Sequence, residues 1–401
     1  MDKLPKLRTD IQILPAIIQG RQVLAVKDML GLRDDVIALV PEMAAVLPFF
    51  DGTHTIRDLQ IVLMHQGGGG LVMQEEVERM VEEFDSLLLL QTDRYHENKR
   101  QHKQTFLELD YRPPSHTGVS YPDNPAELSS MVENIINNDE VSLTERLGRV
   151  RALIAPHIDL NVGRMTYGKA YTAIKNLKPK RLIVLGTGHA IDEGLFSLTT
   201  KDYRTPLGSL STDKNAVMML KNAGNGVVAL DDFAHRNEHA IEFQMLFLCH
   251  LFSQDVAVVP VLCGSFDGHL AEVSRPSDIP EVARFLSCLS KLIDEETLLV
   301  AGVDLSHVGP KFGHPYPAAY YEQEFSAHDH ALLDALCVGS AQAFWAEGKR
   351  VEDRYHVCGF SALACLLELL PGVSGQMLDY QIWHETKTRS AVSYAAAVLS
   401  S

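Results

Sequence analysis

Four apolar runs in this chain end in the same way. Arg151 to Leu160, RALIAPHIDL, runs apolar and then presents His157, and Arg181 to Ala190, RLIVLGTGHA, presents His189. Leu298 to Gly309, LLVAGVDLSHVG, presents Asp304, Ser306 and His307, while Ala257 to Phe266, AVVPVLCGSF, presents Cys263 and Ser265. Short runs of Leu and β-branched residues closed by Gly or Pro predict strands buried on both faces, and such strands belong to parallel sheets. The carboxyl ends of these strands share one crevice, so runs that each finish in metal-binding or proton-transferring side chains point to a common site.

Helical periodicity fills the intervals: Gly168 to Leu177, Thr212 to Ala223, Glu238 to Phe252, Pro280 to Leu292, Tyr320 to Leu336 and Ser340 to Ala346. Ser390 to Leu399 reads as one more buried strand. The alternation predicts an α/β fold, a largely parallel or mixed sheet flanked by helices. Upstream, Asn124-Pro125 opens a helix through Leu128, Met131, Val132 and Ile135.

The first hundred residues read differently. Residues 11–32 mix short apolar runs with turn residues, and Thr55, with Asp58 three positions on, caps a helix through Ile56, Leu59, Val62 and Leu63. Gly67 to Gly70 reads as a loop, Gln74 to Leu90 as an amphipathic helix, and Leu89 to Thr92 as a strand. Helices followed by a short hairpin resemble a winged-helix module, giving a small N-terminal α+β docking domain over 1–98. The charged run Arg94 to Lys103 reads as a helix end or linker, placing a linker at 99–110 and the large domain at 111–401. The small domain has no basic recognition helix, so a peptide or protein suits it better than DNA.

Composition narrows the function. The 401 residues are 46% hydrophobic and 22% charged, enough for a large core beside a small one, and the net charge of -16 opposes a polyanionic partner. No run has bilayer length and the start, MDKLPKLRTD, lacks a signal core, so a cytoplasmic location is expected. The six cysteines show no paired spacing, which argues against a disulfide framework.

His235-Arg-Asn-Glu-His239-Ala-Ile-Glu242 reads as the opening of a helix on which His235 and His239, or Glu238 and Glu242, share a face. The string fits the inverted zinc-protease pattern, but that reading leaves His157, His189 and His307 without roles. A solvated helix start, or His239 or Glu242 orienting a ligand or a proton path, are the alternatives. Cys358 stands before the helical run Ser361 to Leu370, where the helix dipole favours thiolate, and spacing alone leaves it as either a core cysteine or a ligand. Two histidines with one anionic ligand suit a mononuclear site with open positions; sulfur in place of carboxylate makes the set softer.

APHIDLNVG, LGTGHA, YRTPLG (Tyr203 to Gly208), EHAIEFQ, LCGSF, AGVDLSHVGPKFG and HVCGF together resemble the Memo family, labelled AmmeMemoRadiSam system protein B in many prokaryotes. The resemblance spans Tyr111 to the C-terminus, and it implies a fold similar to class III extradiol dioxygenases. It also implies metal ligands at His157, His189 and Cys358, a cleft histidine at His307 with Asp304 as its neighbouring acid, and one metal ion, Fe(II) first, with copper or zinc as alternatives. Asp159, glycine in eukaryotic members, and a single His189, where many members have a His-His pair, depart from the pattern. Radical-SAM and AMMECR1-like proteins are the implied partners. The expected function is a redox enzyme acting on a small substrate, an aromatic one by the fold resemblance: His307 near its ordinary pKa would shuttle a proton, and Asp304, Glu242 or His239 would assist. A non-catalytic metal-binding adaptor and a metal-dependent hydrolase are the alternatives.

Overall fold

The computed structural model describes residues 3–33, 35–66, 70–137, 148–252 and 256–401. The chain divides into two units, Met1–Glu108 and Leu109–Ser401. In the first, β1 (Ile11–Ile18), β2 (Arg21–Asp28) and β3 (Ile37–Leu39) form an antiparallel sheet. Helices α1 (Ile56–Gln66), α2 (Gln74–Ser86) and α3 (Asp93–Leu107) follow. Thr55 and Asp58 cap α1 reciprocally, Thr55 N donating to Asp58 Oδ2 at 2.8 Å and Asp58 N to Thr55 Oγ1 at 3.3 Å. Val26, Leu59, Val77, Phe84 and Leu89 close the core.

This unit is α+β, but its hairpin precedes the helices, opposite to the expected winged order. The expected strand at Leu89 to Thr92 is only a bridge between Leu90 and Leu7. The loop expected at Gly67 to Gly70 lies outside the described residues except for Gly70. The charged run Arg94 to Lys103 lies inside α3, so the division falls after residue 108 rather than after 98. Two aromatics explain the difference. Tyr95 and Phe106 are buried, Tyr95 donates its hydroxyl to Asp10 at 2.6 Å, and the Arg8 guanidinium lies 4.7 Å from the Tyr95 ring. A helix so anchored turns its charges outward without being a tether.

The second unit begins with β4 (Tyr111–Arg112), α4 (Pro125–Ile136), β5 (Val150–Ala155), α5 (Arg164–Ile174) and β6 (Arg181–Thr187). Then come β7 (Phe196–Leu198), β8 (Asp202–Thr205), β9 (Gly208–Leu210), α6 (Lys214–Ala223), α7 (His239–Leu251) and β10 (Ala257–Cys263). The chain continues through α8 (Asp267–Leu270), α9 (Pro280–Ser290), β11 (Thr297–Gly302), β12 (His307–Val308) and α10 (Glu322–Cys337). It ends with α11 (Ala341–Val351), α12 (Phe360–Leu369), β13 (Ser374–Glu385) and β14 (Ser390–Ser400). Among the described residues no helix is long and apolar enough to cross a membrane.

Eight strands form a mixed sheet in the order β12-β14-β5-β11-β6-β10-β7, with β13 also paired to β14. The inner four, β5, β11, β6 and β10, are parallel; β7 and β14 flank them antiparallel. Their side chains alternate between two cores. Ile154, Ile183, Val259 and Leu299 face α6, α9, α10, α11 and α12, while Leu153, Leu182, Val258 and Val300 face α4, α5 and α7.

Register levels the strand ends. Gly302 pairs with Ala155 on one side and Gly186 on the other, and Gly186 pairs with Leu262. His157, Asp304 and His189 follow within three residues of that row. Two of its members must be small: a Cβ on Gly186 would stand 2.7 Å from Ile241 Cγ1, and one on Gly302 would strike the Ala240 carbonyl. These glycines let α7 settle against the strand ends, which brings Glu238 and His239 to the same edge.

Candidate metal centre

His157 is fixed from three directions. Its backbone N–H donates to Asp304 Oδ1 at 2.9 Å, the next N–H, of Ile158, donates to the same oxygen at 3.2 Å, and ring Nδ1 lies 3.0 Å from the Gly302 carbonyl. A carbonyl only accepts, so Nδ1 carries the proton and Nε2 is left as a lone-pair donor. Nε2 lies 3.5 Å from Cys358 Sγ.

Cys358 reaches this position through Asp304 as well. The Asp304 carbonyl accepts from Gly359 N at 3.0 Å and lies 3.5 Å from Sγ. Any Cβ at residue 359 would stand 2.6 Å from that carbonyl, so glycine permits the approach. Asp304 thus ties two distant turns together, one with its carboxylate and one with its backbone.

His189 is oriented by Glu238, the N-cap of α7. Its Nδ1 is 3.0 Å from both Glu238 oxygens, its backbone N–H donates to Oε2 at 2.9 Å, and Ala240 N caps onto Oε1 at 3.0 Å. The same carboxylate lies 3.2 Å from His239 Nδ1. One buried acid therefore sets two imidazoles. The His239 ring centroid stands 5.1 Å from that of His157 and 5.2 Å from that of His189.

Ligand atoms of His157, His189 and Cys358 all lie within 4.8 Å of one another. A tetrahedral ion with nitrogen at about 2.1 Å and sulfur at about 2.3 Å separates those atoms by about 3.6 Å. The observed His157–Cys358 separation of 3.5 Å fits that edge. Two anchored imidazoles and one thiol, converging on a shared point, are a donor set for a borderline or soft cation.

Electrostatics favour neutral donors here. Burial holds His157 below the ordinary imidazole range, and it drives His239 down to about 3 despite Glu238. Burial alone would raise the Glu238 carboxyl, but His189 and His239 outweigh it and hold it well below the carboxylate range. The Cys358 thiol is pushed well up, by burial and then by Asp304. Helix-end stabilisation of thiolate, expected from the sequence, is overridden: without a cation Cys358 stays protonated.

Other sequence-derived residues sit elsewhere or act otherwise. His307 donates Nδ1–H to the Leu305 carbonyl at 3.0 Å and packs edge-on to Phe312 at 5.0 Å; burial lowers its pKa to about 3. It is not poised near its ordinary value. Glu242 meets a different set of groups. It ion-pairs with Arg112, accepts the Tyr121 hydroxyl, and takes Ser115 Oγ at 2.7 Å and His116 N at 2.9 Å. It fastens residues 112–121 onto α7. His235 lies before α7, in a short 3-10 turn, with Nδ1 2.7 Å from the Tyr203 hydroxyl, so it shares no helix face with His239 and the zinc-protease pattern does not assemble. Cys263 is buried, and Ser265 caps Asp267 at 2.9 Å.

Sequence reasoning named Glu238 only as a face-mate of Glu242 and passed over Arg112 and His116. The signal for Glu238 was its place directly before an apolar helix, where a carboxylate caps.

The sequence profile of the family described as Memo-like protein matches residues 112–398. A MEMO1 family protein of Aquifex aeolicus is 31% identical over 93% of this chain and 95% of its own. Another, of Thermus thermophilus, is 28% identical over 82% of this chain and 95% of its own. The crystal structure of an uncharacterized protein from Escherichia coli K12 aligns with a TM-score of 0.38 at 13% identity, covering 63% of this chain and all of that one.

Proposed function

Since this chain belongs to the Memo-like protein family, we propose that its second unit is a mononuclear metal-dependent redox enzyme acting on a small substrate. The observation that carries the reading is the convergence of His157, His189 and Cys358, their ligand atoms all within 4.8 Å of one another. His157 and His189 would hold the ion through neutral imidazoles and Cys358 would hold it as thiolate, its proton released to solvent. The ion would supply Lewis acidity and, as Fe(II) first or copper next, one-electron redox capacity; zinc, the remaining candidate, would supply Lewis acidity alone. Asp304 holds the His157 and Cys358 turns in register, and Glu238 fixes the His189 tautomer. Neutral His239 and His307 flank the site as hydrogen-bonding groups for a substrate. An aromatic ring as that substrate, and radical-SAM and AMMECR1-like proteins as partners, extend the proposal by family resemblance alone.

Metal analysis of anaerobically purified protein tests it, with His157→Ala, His189→Ala and Cys358→Ala alongside. Wild type should carry about one ion per chain and each variant markedly less. Equal, negligible metal in all four would sink the reading. The separate first unit favours a second reading, a metal-binding adaptor without turnover. His307→Ala separates the two: the enzyme reading expects metal retained and turnover lost.

A further inference from the structure

The metal-centre reading uses two imidazoles, yet the structure clusters four. His116, on the segment that Glu242 fastens to α7, has its ring centroid 5.6 Å from that of His239, which is 5.2 Å from that of His189 and 5.1 Å from that of His157. Each of the four has Nδ1 beside a buried acceptor: His116 with Glu242 at 3.1 Å, His239 and His189 with Glu238, and His157 with the Gly302 carbonyl. The repetition has a consequence. With Nδ1 committed, each ring turns Nε2, the usual metal-binding lone pair, away from its anchor.

Exposure sets the deepest ring apart from the other three. The His157 side chain is only 3% accessible, while those of His189, His239 and His116 are 20%, 22% and 23% accessible. A cation reaching His157 and Cys358 from solvent must shed its water, and stepwise exchange onto imidazoles lowers the cost of doing so. The net charge of -16 draws cations toward the surface. We infer that His116 and His239 form a transient capture site for a d-block cation and pass it to His157, His189 and Cys358. The step is ligand exchange alone, with no change of oxidation state, and it rests on the metal-centre reading.

Cobalt(II) is the probe, because thiolate ligation to it gives a near-ultraviolet charge-transfer band that reports arrival at Cys358. The full chain, its ions removed by chelator, is mixed with Co(II) in a stopped-flow instrument; release is followed by chelator chase. His116→Asn, whose amide can still meet Glu242, and His116→Ala are compared with wild type. A capture site controls passage in both directions, so uptake and release should each slow by about tenfold while equilibrium affinity holds. Uptake at the wild-type rate in both variants would overturn the inference, and so would weaker affinity with faster release, which marks His116 as part of the final site. If wild type develops no thiolate band, the metal-centre reading itself fails, a result distinct from either.

Discussion

Replacing Glu238 by Gln removes one negative charge and little volume, and the structure makes its cost specific. The carboxylate stands beside His189 Nδ1 at 3.0 Å and His239 Nδ1 at 3.2 Å, and accepts backbone N–H groups from His189 at 2.9 Å and Ala240 at 3.0 Å. A glutamine offers one acceptor oxygen and turns its NH₂ toward some of these donors, so the His189 ring loses both its charge-assisted partner and its preference for presenting Nε2. Loss of such a supporting partner weakens metal binding by about 10- to 100-fold, or about 1.4–2.7 kcal/mol. The assay is Co(II) titration against a competing chelator. Glu242→Gln is the control: one turn along the same helix and equally buried, but bonded to Arg112, Tyr121 and the 115–116 backbone. It should lower the melting temperature and leave cobalt affinity within about threefold. The reasoning is refuted if Glu238→Gln binds cobalt like wild type, or if both variants lose affinity equally.

Three further outcomes follow from the fold. Burial lowers His235 from 6.5 to about 4. The unfolded chain therefore binds the extra proton first, so this contribution is complete above pH 6.5 and is lost as pH falls toward 4. About 3 kcal/mol is at stake, and the urea midpoint of the metal-free chain should drop across that window less steeply in His235→Gln than in wild type. Gly302→Ala should cost about 1–3 kcal/mol by thermal melt, because the new methyl strikes the Ala240 carbonyl and the Gln244 side chain; an unchanged melt would mean that α7 does not approach as described. Removing residues 1–108 should leave a folded remainder that binds one cobalt, and an unfolded product would contradict the division after Glu108.

Much of the sheet could be read ahead of the structure because parallel strands buried on both faces write their pattern in consecutive letters. Residues 181–187 and 257–263 needed no partner to be recognised as strands. β13 was missed for the converse reason. Its sequence, SGQMLDYQIWHE, mixes polar and apolar residues, and its register is imposed by β14 with an irregularity between Met377 and Asp379. In the same way α3 averages as a polar run, although Tyr95 and Phe106 bury it. Local composition describes a segment's mean, whereas packing depends on which few residues face inward.

The site divides along the same line. That His157, His189 and Cys358 would meet came from family resemblance joined to strand-end geometry; level register is the physical reason for the two histidines, and the Asp304 carbonyl places Cys358. What no single-chain pattern could assign is the difference between Glu238 and Glu242. Both are acids, four residues apart, and both are buried. The first caps the helix and faces the strand ends, so it meets imidazoles; the second faces residues 112–121, so it meets Arg112 and Tyr121. Their chemistry is identical and their partners come from different segments of the chain, residues 189 and 239–240 for the first and 112–121 for the second. A carboxylate here becomes a support for ligands or a fastening for a segment according to what folds against it, and that choice is made by the sheet edge, where Gly186 and Gly302 let α7 come close enough for Glu238 to reach His189.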